Sequence, residues 1–206
     1  TYSVKSNELV TIGKGVVERQ ARASAIMEFV ERFSWLNFDY KNSEGYQFCT
    51  YEEILKENVR VVGPQYFFSN FIMDKVYQER LIEEVGKIKQ PWVKGYSLTQ
   101  KEPFYYPIGW LNAMMASNGL ASGNSFEEAI FQGMCELVER ENLFRFFVGD
   151  RAGKDVDPKT IRNPLIQKIL DVGDKAGIEY FIKDISFEFG IPTFIVAGKN
   201  HKTKIK

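Results

Sequence analysis

The sequence predicts an α+β protein in which a mixed or antiparallel sheet packs with long helices, and three observations carry that reading. Residues 16–37 and 125–147 both show helical periodicity, with an apolar and a polar side. Residues 91–98 and 103–107 are rich in aromatic and β-branched side chains and are joined by a short polar link, which reads as an antiparallel strand pair. A phrase in the first long helix, Met27-Glu28-Phe29-Val30-Glu31-Arg32, returns in the second as Cys135-Glu136-Leu137-Val138-Glu139-Arg140, so the fold reads as internally duplicated.

Each element follows in turn. Residues 1–12 contain a short strand, and Gly13-Lys14-Gly15 marks a turn. In the first helix Ser24, Glu28, Glu31 and Arg32 fall within about a 100° arc, with Ile26, Met27, Phe29, Val30 and Phe33 on the other side. Residues 38–50 are loop-like, Thr50–Lys56 a short capped helix, and Lys75–Lys89 a further helix. Asn118 to Asn124 is a small-residue loop, and Asn124 with Glu127 forms a capping-box-like start for the second long helix. There Glu128, Gln132, Glu136, Glu139 and Arg140 make one stripe, and Ile130, Phe131, Met134, Leu137 and Val138 the buried back. A helix over Pro164–Ala176 leads into strands at Glu179–Lys183 and Pro192–Ala197.

Composition narrows the function classes. The 27 basic and 27 acidic residues balance, so no polyanion-attracting field arises and nucleic acid is not an expected partner. The dispersed aromatic residues fit core positions. Cys49 and Cys135 are too few for a disulfide framework or a structural zinc site. No signal peptide and no long apolar run is present, which predicts a cytoplasmic protein with no membrane partner. Thr1 at the start and a lysine-rich end after a strand suggest a piece of a longer chain.

The two stripes carry the chemistry. Facing one another, four carboxylates would repel unless a proton or a cation neutralised them. No lysine or histidine lies on either stripe, and Arg32 and Arg140 offset only part of the charge. Magnesium, a hard ion that takes oxygen ligands and shares them with nucleotide phosphates, fits such a set. A small-residue loop at a helix N-terminus suits phosphate as well. A single Glu-x-x-Glu-Arg would be a solvated face with Glu–Arg pairs; two copies in the same apolar frame favour a magnesium–nucleotide site, and the plain salt-bridged face stays open as the alternative. Gly13-Lys14-Gly15 is no Walker loop, because Glu8 and Gly15 occupy positions where that loop needs glycine and Ser or Thr. His201 reads as a surface residue and Cys135 as buried and inert.

These residues together resemble the YcaO family: Gly13-Lys14-Gly15, Ser24-x-x-x-Glu28-x-x-Glu31-Arg32, the 117–124 loop, Glu127-Glu128-Ala129 and Glu136-x-x-Glu139-Arg140. The strand from Trp92 to Leu98, and Asp184-Ile185-Ser186 with Gly190-Ile191-Pro192, agree with it. The resemblance implies a YcaO-like fold over residues 1–206, incomplete at both ends. It implies a magnesium-ATP-dependent enzyme that O-phosphorylates a peptide backbone amide on the way to an azoline or a thioamide. Glu28, Glu31, Glu136 and Glu139 would share Mg2+, and Ser24, Asn124, Glu128, Gln132 and Arg140 would hold ATP. Peptide or protein substrates, an accessory substrate-recognition protein and a homodimer are the implied partners. The rival reading is a non-catalytic YcaO-like accessory or scaffold protein in ribosomal-protein or peptide modification.

Overall fold

The computed structural model describes residues 1–6, 9–69, 74–115 and 117–201, so the lysine-rich end at 202–206 lies outside the described residues. The chain forms two compact units, Thr1–Ser117 and Asn118–Lys206.

The first unit begins with an antiparallel hairpin of β1 (Tyr2–Lys5) and β2 (Val10–Gly13), in register Tyr2↔Gly13 and Lys5↔Val10. The helix α1 (Glu18–Leu36) lies on it. Alternation along β2 turns Thr11 and Gly13 inward, where the Thr11 hydroxyl donates to the Ala25 carbonyl at 2.8 Å. At Gly13 any side chain is excluded. A Cβ there would lie 1.9 Å from the Ala21 oxygen and 2.2 Å from the Ala25 nitrogen, so only glycine lets strand and helix backbones come this close. The helix therefore buries a narrow alanine strip, Ala21 and Ala25, whereas Ile26, Val30 and Phe33 of the expected apolar back are exposed. A two-stranded hairpin covers too little of a helix this long to bury the whole back.

A mixed four-stranded sheet follows, built from β3 (Gln47–Cys49), β4 (Arg60–Val61), β5 (Gln90–Ser97) and β6 (Glu102–Pro107) in the order β3-β5-β6-β4. The β5–β6 pair is antiparallel as expected, with Lys94↔Tyr105 in register, and β4 joins β6 in parallel. Its core gathers Trp92, Tyr105 and Ile54, and the Trp92 indole donates to the Cys49 carbonyl at 3.0 Å. Ile54 belongs to α2 (Tyr51–Ile54), started by a reciprocal Thr50–Glu53 capping box. The helices α3 (Pro64–Phe68), α4 (Lys75–Gly86) and α5 (Ile108–Met115) complete the unit.

The second unit opens with the long helix α6 (Phe126–Phe147). Then come β7 (Lys154–Asp155), a 3-10 turn over Pro158–Thr160, α7 (Pro164–Ala176), β8 (Ile178–Asp184) and β9 (Phe194–Asn200). The three strands form an antiparallel sheet in the order β7-β8-β9. The α6 cap corrects the sequence reading: Ser125, not Asn124, is the N-cap, and its hydroxyl accepts from the Glu128 N–H at 3.2 Å. Its expected buried back is corrected too. Phe131, Met134 and Leu137 are exposed, Ile130 and Val138 half-buried, and the buried positions are Gly133 and Asn142. Cys135 is half-buried rather than buried.

Candidate functional site

The residues of the first stripe are presented by α1. Glu28 lies 3.9 Å and Glu31 3.5 Å from Arg32, so a single guanidinium spans both carboxylates. One turn earlier, the Ser24 hydroxyl accepts from the Lys14 N–H at 3.4 Å. At the helix start Gln20 reaches back to accept from the N–H groups of Val16 and Val17, at 3.1 and 3.4 Å. Val17 has no side-chain oxygen to accept from the first-turn N–H groups, so Gln20 supplies only the return half of a capping box. Glycine at 15 is again a matter of contact, since a Cβ there would lie 2.4 Å from the Ala21 nitrogen.

The second stripe repeats this arrangement on α6. Arg140 bridges Glu136 at 3.3 Å and Glu139 at 3.8 Å. Glu128 accepts from the Asn124 N–H at 2.8 Å and from its side-chain amide at 3.0 Å. A Cβ at Gly123 would lie 2.5 Å from the Ala129 nitrogen. The correspondence keeps one sequence offset throughout: Gly15 with Gly123, Val16 with Asn124, Gln20 with Glu128, Ala21 with Ala129, Ser24 with Gln132, and Glu28 with Glu136. Duplication thus covers the helix start as well as the Glu-x-x-Glu-Arg phrase.

The 118–124 loop lies along α6. Gly119, at φ +82, gives its N–H to the Glu136 carboxylate at 3.1 Å. Its carbonyl sits where a Cβ on Gly133 would come within 2.6 Å. Glu136 is thereby oriented from two sides, by a loop amide and by Arg140. Glu127, in the first turn, has its carboxyl held below the usual range by its own backbone N–H and by the Ser125 hydroxyl. Further along α6, the Asn142 amide donates to the Thr193 hydroxyl at 2.9 Å in a buried contact with the 185–193 bend. The Asn142 oxygen is buried, with no hydrogen-bond partner among the described residues.

Among the described residues no group of three or more His, Cys, Asp or Glu side chains is gathered closely enough to hold a metal ion. Each helix supplies its own pair of carboxylates with an arginine between them. That donor set fits a hard divalent ion through oxygen alone. Gly123 and Gly133 pack the loop against the helix, since a Cβ there would lie 2.5 Å from the Ala129 nitrogen or 2.6 Å from the Gly119 oxygen. Of the residues singled out from sequence, Glu136, Glu139 and Arg140 form one cluster, Asn124 and Glu128 a second, and Glu28, Glu31 and Arg32 a third. Gln132 is exposed on the same helix. Sequence reasoning missed Gln20 and Gly119. The repeat offset that pairs Gln20 with Glu128 would have found the first, but nothing in the pattern marks the second.

A family model described as YcaO cyclodehydratase, ATP- and Mg2+-binding, matches residues 12–205. An uncharacterized protein of Methanothermobacter thermautotrophicus is 30% identical over 197 residues, covering 88% of this chain and 45% of the relative. A second, encoded in the tfuA 3' region of Rhizobium leguminosarum bv. trifolii, is 29% identical over 127 residues, covering 55% of this chain and 30% of the relative. The chain spans less than half the length of these curated relatives. Among solved structures, a heterocyclase in complex with substrate and cofactor aligns with a TM-score of 0.72 at 23% identity, over 91% of this chain and 27% of that one. The structure of YcaO from Methanopyrus kandleri bound with AMPPCP and Mg2+ aligns with a TM-score of 0.58 at 22% identity, over 88% of this chain and 44% of that one. At these identities the structural likeness speaks to the fold, and the α+β architecture agrees with it.

Proposed function

The chain belongs to the YcaO family, and from that premise we propose that it forms part of a magnesium-ATP-dependent enzyme that activates a peptide backbone amide by O-phosphorylation, leading to an azoline or a thioamide. The observation that carries the reading is the doubled Glu-x-x-Glu-Arg stripe, each copy following a helix start whose backbone N–H groups are gathered by Gln20 or Glu128. Glu28, Glu31, Glu136 and Glu139 are the proposed magnesium ligands. Ser24, Asn124, Glu128, Gln132 and Arg140 are the proposed nucleotide contacts. Held by these residues, ATP would supply the phosphoryl group that makes an amide oxygen a leaving group, and magnesium would supply charge neutralisation.

The chain's own residues do the positioning. Gly119 N–H and Arg140 fix the Glu136 carboxylate before any ligand arrives, so little reorganisation is left to the binding step. Arg32 and Arg140 lower the cost of holding two carboxylates side by side. No described helix is long and apolar enough to cross a membrane, and the proposed setting is cytoplasmic, with a peptide substrate, an accessory recognition protein and a homodimer as partners.

Isothermal titration of the chain with ATP and magnesium tests this reading. Magnesium-dependent binding that is weakened about tenfold in both Glu28→Gln and Glu136→Gln supports it. The glutamine at 136 keeps an acceptor for the Gly119 N–H, so the loop stays in place. Binding unchanged in both variants, or absent from the full-length protein, returns the chain to the non-catalytic scaffold reading.

A further inference from the structure

Among the described residues, the sheet of the second unit leaves part of β8 unpaired on the side that β7 covers. In an antiparallel ladder, successive residues turn their main-chain groups to alternate edges. The Gly177 carbonyl accepts from the His201 N–H and the Ile185 N–H donates to the Thr193 carbonyl, both at 2.9 Å, so odd-numbered positions of β8 face β9. Even-numbered positions face β7, as the bond from the Val156 N–H to the Ile182 carbonyl at 2.9 Å shows. But β7 pairs only with Lys183 and Asp184. Beyond Val156 the chain leaves the edge, because the Asp157 carboxylate caps a 3-10 turn and Pro158 has no N–H to offer a ladder. Among the described residues, no strand pairs with the outward main-chain groups of Ile178 and Tyr180.

A groove of about 910 Å3 is lined by this stretch of β8 and by the residues that follow β7. Ile178, Glu179 and Tyr180 form one wall, Asp171 and Asp174 of α7 another, with Pro158 and Lys159 at the rim. Three carboxylates face one lysine and a histidine, His201, whose ring lies 3.0 Å from Glu179. The groove therefore pairs unfilled strand hydrogen bonds with negative charge. An unpaired edge is a template for another extended chain, and strand addition takes its affinity from main-chain bonds and its selectivity from flanking side chains.

We propose that this groove docks an extended, basic segment of a peptide substrate, which joins the β7-β8-β9 sheet as an added strand against Ile178 and Tyr180. The open edge is about 10 Å long at the usual strand rise, enough to align a few residues and leave the rest of the peptide free to reach elsewhere. That the occupant is a substrate rests on the peptide-modifying reading above; the docking itself involves neither nucleotide nor metal.

Fluorescence anisotropy with the full chain tests it, using a labelled peptide of alternating lysine and valine in the absence of ATP and magnesium. The peptide binds, and Asp171→Lys with Asp174→Lys, both exposed on α7, weakens binding about tenfold or more. Lys159→Glu tightens it, a gain that no misfolded variant would give. N-methylation of alternate peptide amides abolishes binding, and hydrogen exchange slows at the Ile178 and Tyr180 amides on addition of the unmethylated peptide. Equal affinity for a glutamate–valine peptide, indifference to N-methylation, protection elsewhere in the chain, or no binding each overturns the proposal. Because the titration contains no nucleotide, its failure is distinct from a failure of ATP binding.

Discussion

At the start of α1 the strand carries a glycine, Gly13, and the helix an alanine, Ala25; at the start of α6 the loop carries Ala121 and the helix Gly133. The offset is the one that relates the two acidic stripes. A Cβ on Gly13 would lie 2.8 Å from the Ala25 methyl, and one on Gly133 would lie 3.7 Å from the Ala121 methyl. Each contact holds a single methyl group, contributed by the helix in one copy and by the incoming chain in the other. The closeness of approach has been kept while the side chains that allow it have traded places. The tighter copy is the first, where a regular strand presses on the helix backbone; in the second a loop does so.

Exchanging those small residues gives the largest expected effects. Gly13→Ala drives a methyl into two backbone atoms of α1 and costs about 3 kcal/mol, and Ala25→Gly does not rescue it, because the Ala21 oxygen and Ala25 nitrogen remain. Gly133→Ala meets one loop oxygen, that of Gly119, at 2.6 Å; the loop can move, and the cost is about 1–2 kcal/mol. Urea unfolding of the two variants checks the order, and equal losses would break the comparison.

Nucleotide affinity sharpens it next. On the proposed function, Glu28→Gln and Glu136→Gln each weaken magnesium-ATP binding by about tenfold, close to 1.4 kcal/mol. A loss in only one variant would assign the site to one helix. The helix starts differ by less. Ser125→Ala removes a side-chain cap and costs about 1 kcal/mol, whereas Val17→Ser supplies one that α1 lacks and stabilises by about 0.5 kcal/mol. Thermal unfolding reads both.

The smallest effect is one of pH. Glu127 has a lowered folded-state pKa through hydrogen bonds at the α6 start. Its contribution is therefore present above the ordinary carboxylate range and is lost as the pH falls through the lowered value. Hydrogen exchange in the first turn of α6, relative to its intrinsic rate, speeds up as the pH falls from that ordinary range toward the lowered value, and Ser125→Ala shrinks this effect.

The long helices and their stripes were legible in the sequence because helical periodicity and a repeated phrase are local signals. So was the antiparallel 91–107 pair, flagged by its aromatic runs. The burial of the helix backs was not. Phe131 and Phe33 announce a wish to leave water but not which surface covers them, and the helices dock through Gly133, Ala21 and Ala25 instead. Gly13 and Gly15 read as a turn, yet a glycine needed for contact looks the same in sequence as one needed for a bend. Asn124 and Ser125 are both good cap residues, so propensity could not choose between them. The Gly119 N–H that orients Glu136 belongs to a main chain group distant in sequence, with no side-chain signature. The short helix Ile108–Met115 escaped because an apolar run of that length carries no periodicity to read.

The buried bond from Asn142 to Thr193 works as an indexing pin for α6. Slipping the helix by one residue would swing every side chain on it by about 100°, and would break the buried bond between the Asn142 amide and Thr193. Glu136, Glu139 and Arg140 thus have their compass bearing set by a peg within two turns of them on the same helix.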